Sequence, residues 1–342
     1  MEGVDTAAVA RWMDDRGLGS GPLEDLRAIP GGTQNVMARF IRAGREYVLR
    51  RGPLHLRTRS NVSILRETRV LAALAGTDVP RPRLIAACED EGVLGGAVFY
   101  LMEPLDGFNA SVELPDLHTR DACVRREMCL RLADALAALG AVDHVAGGLG
   151  DFGKPDGFLE RQVERWLSEL DSFRSDTFEP QIPGVDAVAT WLDAHRPERW
   201  TPGIMHGDYH AANVMFSRTG PDVEAIVDWE MATIGDPLLD LGWLLATWQL
   251  PGVGGVFAGP LVQAGGLPTA DELAERYARR SDRDLTALRW YTVLACFKLG
   301  IVLEGTLARA HAGLAPMDVG EQLHTTTVRL FERAQHLIEE AP

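Results

Sequence analysis

Asp208 stands five residues ahead of Asn213, and a second carboxylate, Asp228, closes the apolar run from Val223 to Val227. Carboxylate, carboxamide and carboxylate in this order suit the transfer of a γ-phosphoryl group. That reaction needs one carboxylate to orient the attacking hydroxyl and accept its proton, and oxygen ligands for the Mg²⁺ that bridges the phosphates. Asp208 suits the first task, and Asn213 with Asp228 suits the second. The same stretch holds His206-x-Asp208-x-His210, an alternation of imidazole and carboxylate that zinc hydrolases also use. No second His-rich segment completes a zinc site, and neither histidine is assigned a chemical role.

These side chains need elements to hold them. The β-branched run before Asp228 predicts a strand that delivers the carboxylate at its end, and residues 217–222 predict the hairpin turn that precedes it. Gly235-Asp236-Pro237 predicts a helix start, with Asp236 as N-cap and Pro237 at the first helical position. Beyond it, the glycine-rich residues 251–268 read as a loop near an acceptor pocket, followed by helices over about 270–280, 285–307 and 320–338. Upstream, helical spacing predicts helices over 120–139, 158–170 and 185–195.

The stretch from His206 to Leu241 resembles the aminoglycoside phosphotransferase and choline kinase family. The pattern His206-Gly207-Asp208-x4-Asn213 is followed by Asp228-Trp229-Glu230 and by Gly235-Asp236-Pro237-x-x-Asp240-Leu241. Within that family it is similar to the branch attached to, or encoded beside, acyl-CoA dehydrogenases. The Asp-x4-Asn spacing also matches the protein-kinase catalytic loop, whereas Asp228-Trp229-Glu230 lacks the glycine of the kinase Asp-Phe-Gly. The resemblance implies an α+β, two-lobed, protein-kinase-like fold, with a small antiparallel-sheet N-lobe and a larger, mainly helical C-lobe. It implies an N-lobe over residues 1–102, a hinge over 103–107 and a C-lobe over 108–342, with the catalytic loop at 206–216 and the metal-binding segment at 226–241. ATP and Mg²⁺ are the cofactors it implies.

The first lobe contains the pieces such a fold uses on phosphates. Gly31-Gly32-Thr33 lies between two predicted strands, where backbone N–H groups approach phosphate oxygens with no Cβ in the way. The run is neither a Walker A loop nor a dinucleotide-binding fingerprint. Tyr47-Val48-Leu49-Arg50 aligns with the kinase Val-Ala-Ile-Lys. The chain has only two lysines, Lys154 and Lys298, both in the second lobe, so the phosphate clamp falls to Arg50. Arginine binds phosphate bidentately and stays charged. Period-two alternation sends Arg50 to one face and Arg51 to the other, so only one of them enters the cleft. A helix from Ser60, as N-cap, to about Ala75 has Val62, Leu65, Val70, Leu71 and Leu74 as its apolar stripe, and Glu67 in its middle is the candidate to brace Arg50. After the predicted strand 97–102, Glu103 and Leu105 are expected to meet adenine through their main-chain groups.

Composition bounds the rest. The 342 residues suffice for two lobes. The net charge of −15 disfavours a nucleic-acid partner. No continuous apolar run approaches bilayer length and no signal sequence is read, so the expectation is no membrane and cytoplasmic residence. The scattered cysteines, Cys88, Cys123, Cys129 and Cys296, fit a reducing compartment. Residues 1–102 carry 14 Arg against 12 acidic residues, whereas 103–342 carry 20 basic against 37 acidic. An acidic second lobe would steer a cationic acceptor, as in aminoglycoside or choline kinases. The branch resemblance implies instead a hydroxyacyl-CoA as the small-molecule hydroxyl substrate. A nucleotide-binding pseudokinase that regulates a partner is the reading from another class, and the presence of Asp208, Asn213 and Asp228 weighs against it.

Overall fold

In the computed structural model, residues 1–29, 35–249 and 259–340 are described. Alternating apolar and polar residues in the first hundred positions build a five-stranded antiparallel sheet. Its strands are β1 (Glu24–Ala28), β2 (Val36–Arg42), β3 (Arg45–Arg51), β4 (Leu84–Cys88) and β5 (Phe99–Met102), in the order β1-β2-β3-β5-β4. Helix α1 (Thr6–Asp14), capped by Asp5, puts Val9, Trp12 and Met13 on one face of this sheet, against Phe40, Leu49, Phe99 and Leu101. Helix α2 (Ser60–Ala73) covers the other face, where Ile64 and Leu71 join Val48, Tyr100 and Met102 in the core that continues into the rest of the molecule. Full burial of each such side chain contributes roughly 1.5–3 kcal/mol.

This layering decides the fate of two adjacent arginines. Arg50 shares the face of Val48 and turns toward α2. Arg51 turns toward α1, where its guanidinium is spent on the carbonyls of Gly3, Gly52 and Pro53.

The remainder is helical with short strands inserted. In chain order it comprises β6 (Gly107–Asn109), α3 (Asp116–Arg120), α4 (Ala122–Gly140), α5 (Gln162–Asp171), α6 (Val185–Ala194), β7 (Gly203–Met205), β8 (Val214–Ser217), β9 (Val223–Ile226), β10 (Thr233–Gly235), α7 (Leu238–Thr247), α8 (Gly259–Ala264), α9 (Ala270–Ala278), α10 (Leu288–His311) and α11 (Met317–Glu339). Strands β6, β8 and β9 form one small sheet, and β7 pairs with β10 in another. Between β7 and β10 runs the whole segment from His206 to Ala232, so the two small sheets frame it.

Several sequence expectations need correction. Ser60 does not cap α2: the N-cap is Arg59, and the Ser60 hydroxyl instead accepts from Arg57 N. The stripe of α2 is rotated, because Val62 is exposed while Ile64 and Thr68 are buried. Part of the expected loop at 251–268 is helical, as α8. Gly107 opens β6 and pairs with Ser217 rather than continuing the linker. Helix α7 begins at Leu238, yet Asp236 still supplies a capping carboxylate, accepting from Leu238 N at 3.0 Å. Finally, α10 is long and apolar enough to cross a membrane by length and composition, which a search for uninterrupted apolar runs passes over because Lys298 and Glu304 break it. Its side chains are mostly buried between α7, α11 and their neighbours, as in the core helix of a globular protein.

Candidate active site

Strand β7 ends at Met205, and the chain turns sharply through Gly207. Gly207 has φ +86°, and a Cβ there would lie 2.5 Å from the Met231 carbonyl, so only glycine is accommodated. The turn presents Asp208. Asn213 Nδ2 donates to Asp208 O at 2.9 Å and to Oδ2 at 3.0 Å. With its amide hydrogens engaged, the Asn213 Oδ1 is the atom left to act as a ligand. His210 Nε2 lies 3.4 Å from Asp208 Oδ1, and its Nδ1 accepts from Ala212 N, which identifies Nε2 as the protonated nitrogen. Burial pushes the Asp208 carboxyl up. The hydrogen bond from His210 and the charge of Lys298 outweigh that and hold it at about 2.

His206 is wholly buried. Its Nε2 donates to the Val227 carbonyl at 2.9 Å, its Nδ1 accepts from Asp208 N at 3.3 Å, and its ring packs edge-on against Trp229. Burial, opposed by the hydrogen bond to Val227 and the charge of Asp208, pushes its pKa down, so it braces the turn as a neutral imidazole. The loop is tied down further by Tyr209 Oη to Leu132 O at 2.8 Å, by Asn109 Nδ2 to Ala212 O at 2.6 Å, and by Val227 N to Asn213 O at 2.9 Å. The last bond joins the loop to the strand end that carries Asp228.

Asp228 takes up a left-handed conformation, φ +69°, which is uncommon for a residue with a side chain and is concentrated at functional sites. Its Oδ1 accepts from Arg50 Nη2 at 2.7 Å. The same nitrogen donates to Glu67 Oε1 at 3.0 Å, while Arg50 Nε lies 2.9 Å from Glu67 Oε2 without the angle of a hydrogen bond. Tyr100 Oη completes the Glu67 carboxylate at 2.9 Å. Burial works against the charge of Arg50, but Glu67, Tyr100 and Asp228 more than restore it, so the guanidinium is held charged. Glu67, Asp228 and Glu230 each bring one oxygen within 4.8 Å of the others. Hard oxygen donors on two carboxylates of the Asp228-Trp229-Glu230 segment, with the Asn213 amide alongside, fit a divalent cation such as Mg²⁺.

The catalytic turn is also held from behind. Asp240, at the start of α7, accepts from His206 N at 2.6 Å and from Gly207 N at 2.8 Å, and its burial pushes its pKa up to about 6 against the pull of those two bonds and of Lys298. Lys298 of α10 donates to the Gly207 carbonyl at 3.0 Å. Arg66, beside Glu67 on α2, donates to Phe152 O at 3.1 Å and Ala232 O at 3.0 Å, pinning α2 to the helical part.

Of the residues singled out in the sequence, Asp208, Asn213, Asp228, Arg50 and Glu67 are brought into one contiguous cluster. Gly31, Gly32 and Thr33 lie outside the described residues. Glu103 and Leu105 follow β5 on the linker. The Glu103 N–H is engaged by Arg83 O at 3.0 Å and its carboxylate pairs with Arg45, which leaves its carbonyl as the main-chain group for a ligand. Asp240, Lys298 and Arg66 were not assigned roles from the sequence. A single lysine within the largely apolar residues 290–303 of α10 was the one signal available for Lys298.

Residues 25–291 match the family model of the phosphotransferase enzyme family (APH), and the chain belongs to that family. The crystal structure of a Ralstonia eutropha JMP134 protein, described provisionally as an aminoglycoside phosphotransferase, is 32% identical to it, with a TM-score of 0.81 over 97% of this chain and 98% of that one. A thermostable mutant of the aminoglycoside phosphotransferase APH(4)-Ia, in ternary complex with AMP-PNP and hygromycin B, shares the kinase-like fold at 16% identity, with a TM-score of 0.61 over 98% of this chain and 99% of that one. Among curated proteins, acyl-CoA dehydrogenase family member 10 of Mus musculus is 28% identical over 92% of this chain. The chain spans 29% of the length of that relative. The chain is thus a phosphotransferase of kinase-like fold, similar to proteins of the acyl-CoA dehydrogenase-linked branch.

Proposed function

We propose that this protein transfers the γ-phosphoryl group of ATP to a hydroxyl of a small molecule, and that the acceptor is a hydroxyacyl thioester of coenzyme A. The observation that carries the reading is the pairing of Asp208 with Asn213 and of Asp228 with Arg50, the two pairs joined by the backbone bond from Val227 N to Asn213 O. Asp208 orients the acceptor hydroxyl. Held at about 2, it is a weak base, so it takes the proton late, once the new P–O bond is largely made. Asn213 fixes the Asp208 carboxylate through Nδ2 and, with Asp228, holds Mg²⁺. When bound, that ion neutralises charge on the phosphate oxygens. Arg50 meets those oxygens through Nη1, the guanidinium nitrogen that neither Glu67 nor Asp228 engages, and Glu67 keeps it aimed. Rate enhancement then comes mainly from positioning and electrostatic stabilisation.

One observation supports an acyl-type acceptor over a polycationic one. The curated relative named above, which matches 92% of this chain, is an acyl-CoA dehydrogenase family member. The test is Mg²⁺-dependent transfer of label from γ-labelled ATP to a hydroxyacyl-CoA, an aminoglycoside and choline, with Asp208→Asn as control. Labelling of the thioester alone, abolished in the control, is expected. Labelling of the aminoglycoside or choline instead would replace the acceptor class. Stabilisation by Mg-ATP with no labelled acceptor would point to a pseudokinase.

A further inference from the structure

Lys298 is the one lysine of the helical interior, enclosed on α10 between the rings of Trp243, 4.3 Å from Nζ, and Trp166, 5.6 Å away. The site is built. A buried ammonium between two indoles is held by cation–π attraction, and its hydrogen bond goes to the Gly207 carbonyl rather than to Asp240, whose two oxygens are taken by the N–H groups of His206 and Gly207. The carbonyl of Gly207 and the N–H of Asp208 belong to one peptide plane. Lys298 grips the oxygen of that plane, and His206 Nδ1 accepts from its N–H at 3.3 Å. The preceding plane is held by Asp240 through Gly207 N. Both peptide planes flanking Gly207 are therefore clamped, and the direction of the Asp208 side chain follows from the second.

Building on the phosphotransferase reading above, we propose that Lys298 is a positioning residue for the transfer step: its ammonium fixes the Gly207–Asp208 peptide plane and thereby aims the Asp208 carboxylate. A catalytic glycine turn has no side chain of its own to lock it, so an external donor supplies the constraint. The charge matters as well as the donor, because a neutral amine binds a carbonyl more weakly and offers Asp208 no counter-charge. The charged groups that face Lys298 are Asp240 from α7, Asp208 from the loop and Arg165 from α5. Burial and Arg165 push its pKa down, and Asp240 and Asp208 pull it up, leaving it at about 8. The constraint therefore weakens as pH rises through about 8.

The test combines kinetics with a direct view of the amine. Lys298→Met keeps an unbranched side chain one atom shorter and removes donor and charge. The expected result is a fall in kcat of about 100-fold, the loss typical of a misaimed catalytic group, with KM for ATP changed less than about twofold. Wild-type kcat should bend downward above about pH 8, and the bend should be absent in the variant. A variant that retains wild-type kcat, or that retains the bend, overturns the proposal. If Lys298→Met does not fold, ¹³C-lysine NMR decides. The chain has only two lysines, and Lys154 is exposed and serves as the internal reference. In Asp208→Asn, loss of the facing carboxylate should move the Lys298 titration to lower pH while that of Lys154 stays. An unmoved Lys298 titration overturns the proposal. This readout needs no acceptor, so a chain that transfers phosphate to none of the panel would fail the functional reading and leave the Lys298 contact still tested.

Discussion

Arg50 and Lys298 are both buried cations beside the same cluster, and they are held by opposite means. Arg50 is fixed by carboxylates, Glu67 on α2 and Asp228 at the end of β9, and it faces the cleft. Lys298 is fixed by two indole rings and a carbonyl, and it faces the back of the catalytic turn. A guanidinium stays charged in any such setting, so burial costs Arg50 solvation but not its function. An ammonium under the same burial becomes conditional on pH. On the proposed function, the residue aimed at phosphates is the permanent cation, and the residue that holds the turn is the titratable one.

The comparison can be broken most severely at Arg50. Arg50→Met should lower kcat/KM for ATP by roughly 10³-fold or more, the scale seen when a phosphate-facing arginine is lost. It should also destabilise the fold by about 3–5 kcal/mol, because the Glu67 charge is left buried and unpaired. Denaturant unfolding beside steady-state kinetics separates the two effects, and a variant with intact stability would show that Glu67 is not held by Arg50. Next comes Asp240→Asn, which sets an amide donor against one of the two N–H groups it accepts. A kcat loss of order 10²-fold with little change in KM for ATP is expected, and an unchanged kcat would mean that the turn keeps its shape without Asp240.

A smaller effect sharpens the pH contrast. Lys298 has its folded pKa, about 8, below the ordinary lysine value of 10.5, so between those values the unfolded chain binds more protons. Wild-type stability should therefore gain, as pH rises from about 8 toward 10, a contribution that Lys298→Met lacks. Urea midpoints of the two proteins against pH would show the gap shifting in favour of wild type, and parallel curves would refute the assignment. Asp208 behaves in the opposite sense. Its pKa is depressed to about 2, so its contribution is present above the ordinary aspartate value of 3.8 and lost as pH falls toward 2. The smallest change is Tyr100→Phe, which takes one of the hydrogen bonds from Glu67 while Arg50 remains. A loss of about 1.5 kcal/mol is expected, and a loss as large as that of Arg50→Met would mean that the hydroxyl, not the guanidinium, carries the pair.

The fold was legible wherever local pattern and burial agree. In β2 the buried Ala38, Phe40 and Arg42 alternate with less buried neighbours, whereas β3 is buried at every position from Tyr47 to Arg51. Strand β1 was not legible. Glu24-Asp25-Leu26-Arg27-Ala28 is an edge strand with little burial, an irregular register between Glu24 and Arg27, and a positive φ at Asp25, so no periodic signal marks it. Val62 misled the reading of α2 because a valine at helical spacing looks like core whether or not anything packs on it.

The amino-acid sequence by itself determined the catalytic turn and the strand that ends at Asp228, because both depend on neighbours a few residues apart: a glycine where a Cβ would collide, a histidine two residues from the carboxylate, and an asparagine within one loop. It also left arginine as the only candidate for a phosphate clamp among residues 1–102, since no lysine lies there. Tertiary structure alone decided which side chains meet. Arg50 reaches Asp228 across 178 positions of chain, and Lys298 reaches Gly207 across 91. The physical reason is that hydrogen-bonded contacts at such separations are selected by packing of whole elements, here the sheet faces under α1 and α2 and the seating of α10 against α7. A charged side chain in the sequence gives no sign of whether water or a catalytic turn will be its partner.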